Sequence, residues 1–149
     1  MTTAHEIDAF LAEPAIAVVG VSRSGRGFGN AACRTLQSKG YRVFPINRYA
    51  DNVDGVACYH SFRDLPEHVE SALVVVPPWE TLDVIREAAA AGVHHIWLQQ
   101  GAESREAETL AGELGIKVIA GGCILMFAKP TGIHKLHRFL RKVSGGLPA

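Results

Sequence analysis

The chain has 149 residues, enough for one domain and too few for two of ordinary size. Lys plus Arg and Asp plus Glu number 15 each, so no bulk field draws nucleic acid or an anionic membrane. A hydrophobic share of 48% encloses a core without disulfide or metal staples.

Thr3 and Glu6 have capping-box spacing ahead of Ile7, Phe10 and Leu11, which predicts a short helix within residues 1–14, stopped by Pro14. Five short apolar runs follow: Ile16–Val19, Arg42–Ile46, Ala72–Val76, His95–Leu98 and Lys117–Ala120. Most are continuous rather than alternating, the pattern of strands covered on both faces. Gly40 stands where a helix would end before the second run. Asp51–Leu65 reads as mostly loop, with a short strand around Val56–Tyr59. Leu82, Ile85 and Ala89 mark the buried stripe of one helix, and Ala107, Leu110, Ala111 and Leu114 that of another. Gly92 and Gly115 close these two helices in the left-handed position. Ile133, Leu136, Leu140 and Val143 share a face, predicting a last helix over 129–143, with 144–149 a frayed tail.

Alternating strands and helices predict an α/β fold: a single Rossmann-like domain over 1–149, doubly wound on a mainly five-stranded parallel sheet. Such sheets bind ligands outside the carboxyl ends of their strands, where strand order reverses. The loops there carry the functional reading. The first, from Gly20 to Asn30, holds Ser22, Arg23, Arg26 and several glycines, and it opens a helix. Backbone N–H groups and a helix N-terminus suit a phosphate; the alternative is a flexible glycine-rich turn. The second loop offers Asn47 and Arg48 in place of the carboxylate that an NAD ribose requires. Arg48 would attract an extra ribose phosphate, as on NADP or coenzyme A, or else it is a solvated surface residue.

Pro77 and Pro78 follow the third run and form a rigid, donor-poor edge, or simply begin the next helix. Gln99, ahead of Gly101, could meet amide groups of a ligand or of neighbouring loops. After the fifth run, Gly121 and Gly122 precede Cys123.

Together these segments resemble the coenzyme A-binding domain family, small stand-alone proteins related to the N-terminal domain of the succinyl-CoA synthetase alpha subunit. The likeness runs from about Ile16 to Met126. It rests on Ala17-Val18-Val19-Gly20-Val21-Ser22, Gly40-Tyr41-Arg42-Val43, Pro45-Ile46-Asn47, Pro77-Pro78, Trp97-Leu98-Gln99 with Gly101, and Cys123-Ile124. The resemblance implies a site for coenzyme A or an acyl-CoA across the first four loops. Gly20 and Ser22 would lie by the pyrophosphate and Asn47 near the adenosine. Pro77 and Pro78 would line the wall, with Gln99 and Gly101 at the far side. Three features depart from the family: Gly25, Gly27 and Gly29 stand where prolines are frequent, Arg48 replaces a common proline, and Gly121-Gly122 replaces charged residues. The catalytic histidine of the synthetases sits on a second domain for which this chain has no room, so the resemblance supports binding more than catalysis.

Nothing else in the sequence points to a catalyst or a metal. His94 and His95 precede the fourth run, at the end opposite the expected pocket, and His134 and His137 are too few ligands for zinc. Cys123 either faces the thiol end of the ligand, poised for a mixed disulfide, or is a buried inert cysteine. Lys129, Lys135, Arg138, Arg141 and Lys142 form either a local anion-binding or partner surface or, more commonly for such charges, just the solvated side of the last helix. Three cysteines, odd in number, suit free thiols in the cytoplasm. No run is long and uncharged enough to span a bilayer, and no secretory signal is evident. The expectation is a binding or regulatory module for a nucleotide-like small molecule, with room for a homo-oligomer and no nucleic-acid or membrane partner. The alternative is an NADP-linked oxidoreductase or a thioester-handling enzyme.

Overall fold

The computed structural model describes residues 3–127. Helix α1 (Ala4–Ala12) begins with the expected box: the Thr3 hydroxyl accepts the Glu6 N–H, and the Glu6 carboxylate accepts the Thr3 N–H at 2.8 Å. Next come β1 (Ala15–Val19), α2 (Phe28–Ser38) and β2 (Arg42–Ile46). A small hairpin of β3 (Asn52–Val53) and β4 (Val56–Ala57) and a 3-10 turn at Phe62–Asp64 follow. The second half alternates β5 (Ser71–Val74), α3 (Pro78–Ala90), β6 (His95–Leu98), α4 (Arg105–Glu113) and β7 (Lys117–Ala120), and ends in a single turn, α5 (Ile124–Phe127). The helix and tail expected beyond residue 128 lie outside the described residues.

Five strands form one parallel sheet in the order β2-β1-β5-β6-β7. The chain steps outward from β1 to β2, then returns to the other flank of β1, so the order reverses between β1 and β5. Right-handed crossovers in opposite directions put their helices on opposite faces. Accordingly α1, α2 and α5 cover one face, around Phe10, Leu36, Leu73 and Trp97. α3 and α4 cover the other, around Val74, Ile85, Ile96 and Ala107. All four residues of β5 are buried, which explains a run without alternation. Among the described residues no helix is long and apolar enough to cross a membrane.

Three local differences from expectation are present, and the first two have clear physical causes. β5 stops at Val74 instead of Val76. The Val75 N–H still reaches the Val19 carbonyl at 2.8 Å, but β1 turns away at Gly20 (φ +112°) and leaves Val76 no neighbour. Leu114 is 43% exposed because α4 ends before it and the stripe has no further turn to continue on. The buried stripe of α3 is Thr81, Val84, Ile85 and Ala88, centred beside the expected one.

On its outer side the carboxyl end of β2 is already occupied. Pro45 lacks an N–H, which suits an edge position, while its carbonyl accepts the Tyr59 N–H at 2.9 Å and the Asn47 N–H donates to the Tyr59 carbonyl at 2.8 Å.

At the amino edge of the sheet, the Glu70 carboxylate is shared by two histidines: His94 Nδ1 on one oxygen and His68 Nε2, at 2.8 Å, on the other. The His94 hydrogen bond, followed by that from His68, holds this carboxyl below its ordinary range. A group so depressed stabilises the fold above the pH at which it titrates in the unfolded chain, and the contribution disappears as pH falls through its folded-state value. Glu70→Gln is expected to flatten the acid limb of a stability–pH curve below about pH 4.3. An unchanged limb would show that the pair contributes nothing.

Candidate functional site

The loop leaving β1 is held from three sides. A Cβ on Gly20 would sit 1.9 Å from the Val75 carbonyl oxygen, and one on Gly29 would sit 2.6 Å from the Gly20 oxygen. Only glycine permits so close an approach of β1, β5 and α2. Buried Asn30 then fixes Ser22 at both ends: its Oδ1 accepts the Ser22 N–H at 2.7 Å and its Nδ2 donates to the Ser22 carbonyl at 3.0 Å. Asn47 ties the second loop to the first, donating to the Val21 carbonyl at 2.8 Å and accepting the Tyr49 N–H at 2.8 Å.

Within this frame the N-terminus of α2 is left open. Its N-cap is Gly27, no side chain caps it, and its first turn has no acidic residue. By contrast α1 has its box, and the Ser104 hydroxyl caps α4. The N–H groups of Ser24 and Arg26 are instead taken up by the Ser22 and Ser24 hydroxyls at 3.2 and 3.3 Å, which shapes the turn. The side chains of Arg23 and Arg26 are exposed and make no hydrogen bond or ion pair among the described residues. An open helix N-terminus beside two cations unpaired among the described residues is a favourable place for an anion.

Beside this loop, at the carboxyl ends of β1, β2 and β5, lies a cleft of about 370 Å³. Gly20 and Val21 form one side and Asn47, Arg48, Tyr49 and His60 another; Val76 and an acidic row on α3, Glu80, Asp83 and Glu87, also line it. Tyr49 and Trp79, each 77% exposed, offer open ring faces at this edge of the sheet. Arg48 reaches across to Glu87, with Nη2 and Oε1 3.3 Å apart.

The residues singled out from sequence divide accordingly. Gly20, Asn47 and Arg48 line the cleft. Ser22, Arg23 and Arg26 lie on the adjoining loop. Pro77 and Pro78 are exposed where α3 begins, consistent with both of their readings. Gln99 is 5% exposed and its Oε1 accepts the Ile124 N–H at 3.2 Å, so it holds α5 in place. Gly101, at φ +97°, donates its N–H to Glu103. Cys123 is half-buried just before α5. Cys33 and Cys58 are buried; burial, with Cys58 nearby, pushes the Cys33 thiol up to about 12, and burial raises Cys58 as well. Neither is a thiolate at neutral pH.

Sequence reasoning missed Tyr49, Asn30 and the acidic row. Glu80, Asp83 and Glu87 fall at i, i+3 and i+7, which places them on one helical face, so that signal was available.

Residues 14–129 match the family model described as a CoA binding domain. The chain belongs to the CoA-binding domain family. Among its relatives is the alpha subunit of the ADP-forming acetate–CoA ligase II of Pyrococcus furiosus, 26% identical over 129 residues and covering 79% of this chain. The chain spans only 28% of that subunit's length, and 11% of an ADP-forming acetate–CoA ligase from Methanocaldococcus jannaschii. Solved structures include a conserved hypothetical protein from Pyrococcus furiosus, 39% identical, with a TM-score of 0.70 over 75% of this chain and 97% of that one. A Thermus thermophilus protein is 30% identical, with a TM-score of 0.74 over 91% of this chain and 98% of that one. The matched span takes in the whole sheet, helices α2 to α5 and the loops at the carboxyl edge, while α1 lies before it.

Proposed function

We propose that this chain binds coenzyme A or an acyl-CoA at the carboxyl edge of its sheet, as a binding or regulatory module of the cytoplasm and not as a catalyst. The observation that carries the reading is the uncapped N-terminus of α2, with the side chains of Arg23 and Arg26 unpaired among the described residues, on the loop whose Gly20 and Val21 line the cleft. In this reading the pyrophosphate lies on the loop from Gly20 to Gly29, near Ser22. The adenosine occupies the cleft by Asn47 and Arg48, where Tyr49 can stack on the base. The pantetheine arm passes Pro77 and Pro78 toward Gly101, and its thiol end lies on the side of Gln99 and Cys123. Membership of the CoA-binding domain family supports the choice of ligand.

Thermal melting with coenzyme A, acetyl-CoA and NADP tests this directly. A ligand at a hundred times its dissociation constant stabilises the fold by about 2.7 kcal/mol, which raises the midpoint of a domain this size by roughly 5–10 °C. Coenzyme A is expected to give this rise, and Arg23→Ala with Arg26→Ala to weaken binding about tenfold through loss of charge-assisted contacts. A rise with NADP alone would replace the reading with the oxidoreductase alternative, and no rise with any of the three would end it. Acetyl-CoA recovered unhydrolysed after incubation is the result expected of a module.

A further inference from the structure

Among the described residues Arg48 is the one Lys or Arg lining the cleft, and the Glu87 carboxylate that holds its charge lines the cleft too; His60, also in the lining, is paired instead with Asp51. We propose that Glu87 is a specificity-determining residue: it competes with the ligand's ribose phosphate for Arg48, and so sets how strongly the site prefers a ligand with that phosphate over the same ligand without it. The inference rests on the coenzyme A reading and concerns the 3′-phosphomonoester, which dephospho-coenzyme A lacks.

The geometry is that of an exchangeable pair. One contact joins the two side chains, Nη2 to Oε1 at 3.3 Å, and they are 65% and 46% exposed. A single-pronged pair in contact with water is weakly held. A phosphate dianion offers a guanidinium more charge and a two-pronged fit, so it displaces the carboxylate. Displacement leaves Glu87 near the bound phosphate as a like charge, and Asp83 and Glu80 add to it from the preceding turns of α3. Asp83 is partly offset by Arg86 at 3.0 Å. Glu87 therefore opposes phosphate twice, once by holding Arg48 and once by repulsion. A ligand without the phosphate meets neither effect.

The test measures affinities for coenzyme A and dephospho-coenzyme A by calorimetry in the wild type, Glu87→Gln, Arg48→Ala and the double variant. All these side chains are exposed, and matching melting curves without ligand confirm folding. Glu87→Gln is expected to tighten coenzyme A about threefold, the size of an exposed ion pair, and to leave dephospho-coenzyme A within about twofold. Arg48→Ala is expected to weaken coenzyme A about tenfold, and in the double variant the gain from Gln should shrink to the part due to repulsion alone, because no Arg48 remains to be released. Equal effects of Glu87→Gln on both ligands, or none on coenzyme A, would overturn the proposal. Wild-type protein that binds both ligands equally would remove this inference and leave the coenzyme A reading standing; binding of neither would remove both.

Discussion

Gly20→Ala is expected to be among the most damaging single-atom changes in the protein. The new methyl group would start 1.9 Å from the Val75 carbonyl oxygen, on a backbone at φ +112°. Backbone strain there and the forced separation of β1 from β5 together cost about 4 kcal/mol or more, against a total stability of roughly 5–15 kcal/mol for a domain. Urea denaturation should show a large drop in midpoint. Whatever folds should also lose most of its stabilisation by coenzyme A, since relief of the clash moves the loop that meets α2. A midpoint within about 0.5 kcal/mol of wild type, the size of an ordinary surface change, would show that the two strands part more readily than their packing indicates.

Trp97→Ala is the second large effect. This side chain, on β6, is fully buried; it meets Phe10 of α1 edge-on at 5.4 Å and Phe127 of α5 at 5.6 Å. Its indole N–H donates to the Gly122 carbonyl at 3.0 Å. Truncation opens a cavity and removes a part-buried hydrogen bond, a loss of about 3–5 kcal/mol. Trp97→Phe keeps most of the volume and deletes the donor, so its loss should be clearly smaller. Hydrogen exchange should quicken most in α1 and after β7, the two segments this residue joins. Faster exchange spread evenly over the sheet would contradict that picture.

Much of this architecture was legible in the residues, for reasons that are local. Continuous apolar runs marked strands covered on both faces, the Thr3–Glu6 box marked the start of α1, and Gly40, Gly92 and Gly115 do adopt positive φ after their helices. The hairpin of β3 and β4 was less visible because its strands are two residues long, too short for periodicity to register. Its turn, Asp54-Gly55, does carry a hairpin signal, and both residues have positive φ. At the site, the glycine loop, Asn47 and Arg48 stood out by residue type. Their partners did not: Asn30 bonds Ser22 from eight residues away and Glu87 meets Arg48 across 39 residues. Such long-range partners depend on the assembled sheet, which is why the residues alone left Gln99 open between a ligand and neighbouring loops, whereas the fold gives its Oε1 to the Ile124 N–H.

The proline in β2 and the Tyr59 segment beside it bear on how copies of this protein meet. An outermost strand with free amides is a template onto which another molecule can add its own. Here Tyr59 already engages the Pro45 carbonyl and the Asn47 amide, and Pro45 has no amide to offer. At its carboxyl end, beside the cleft, the outer edge of β2 is thus taken up by the protein's own backbone, which obstructs addition of a further strand there.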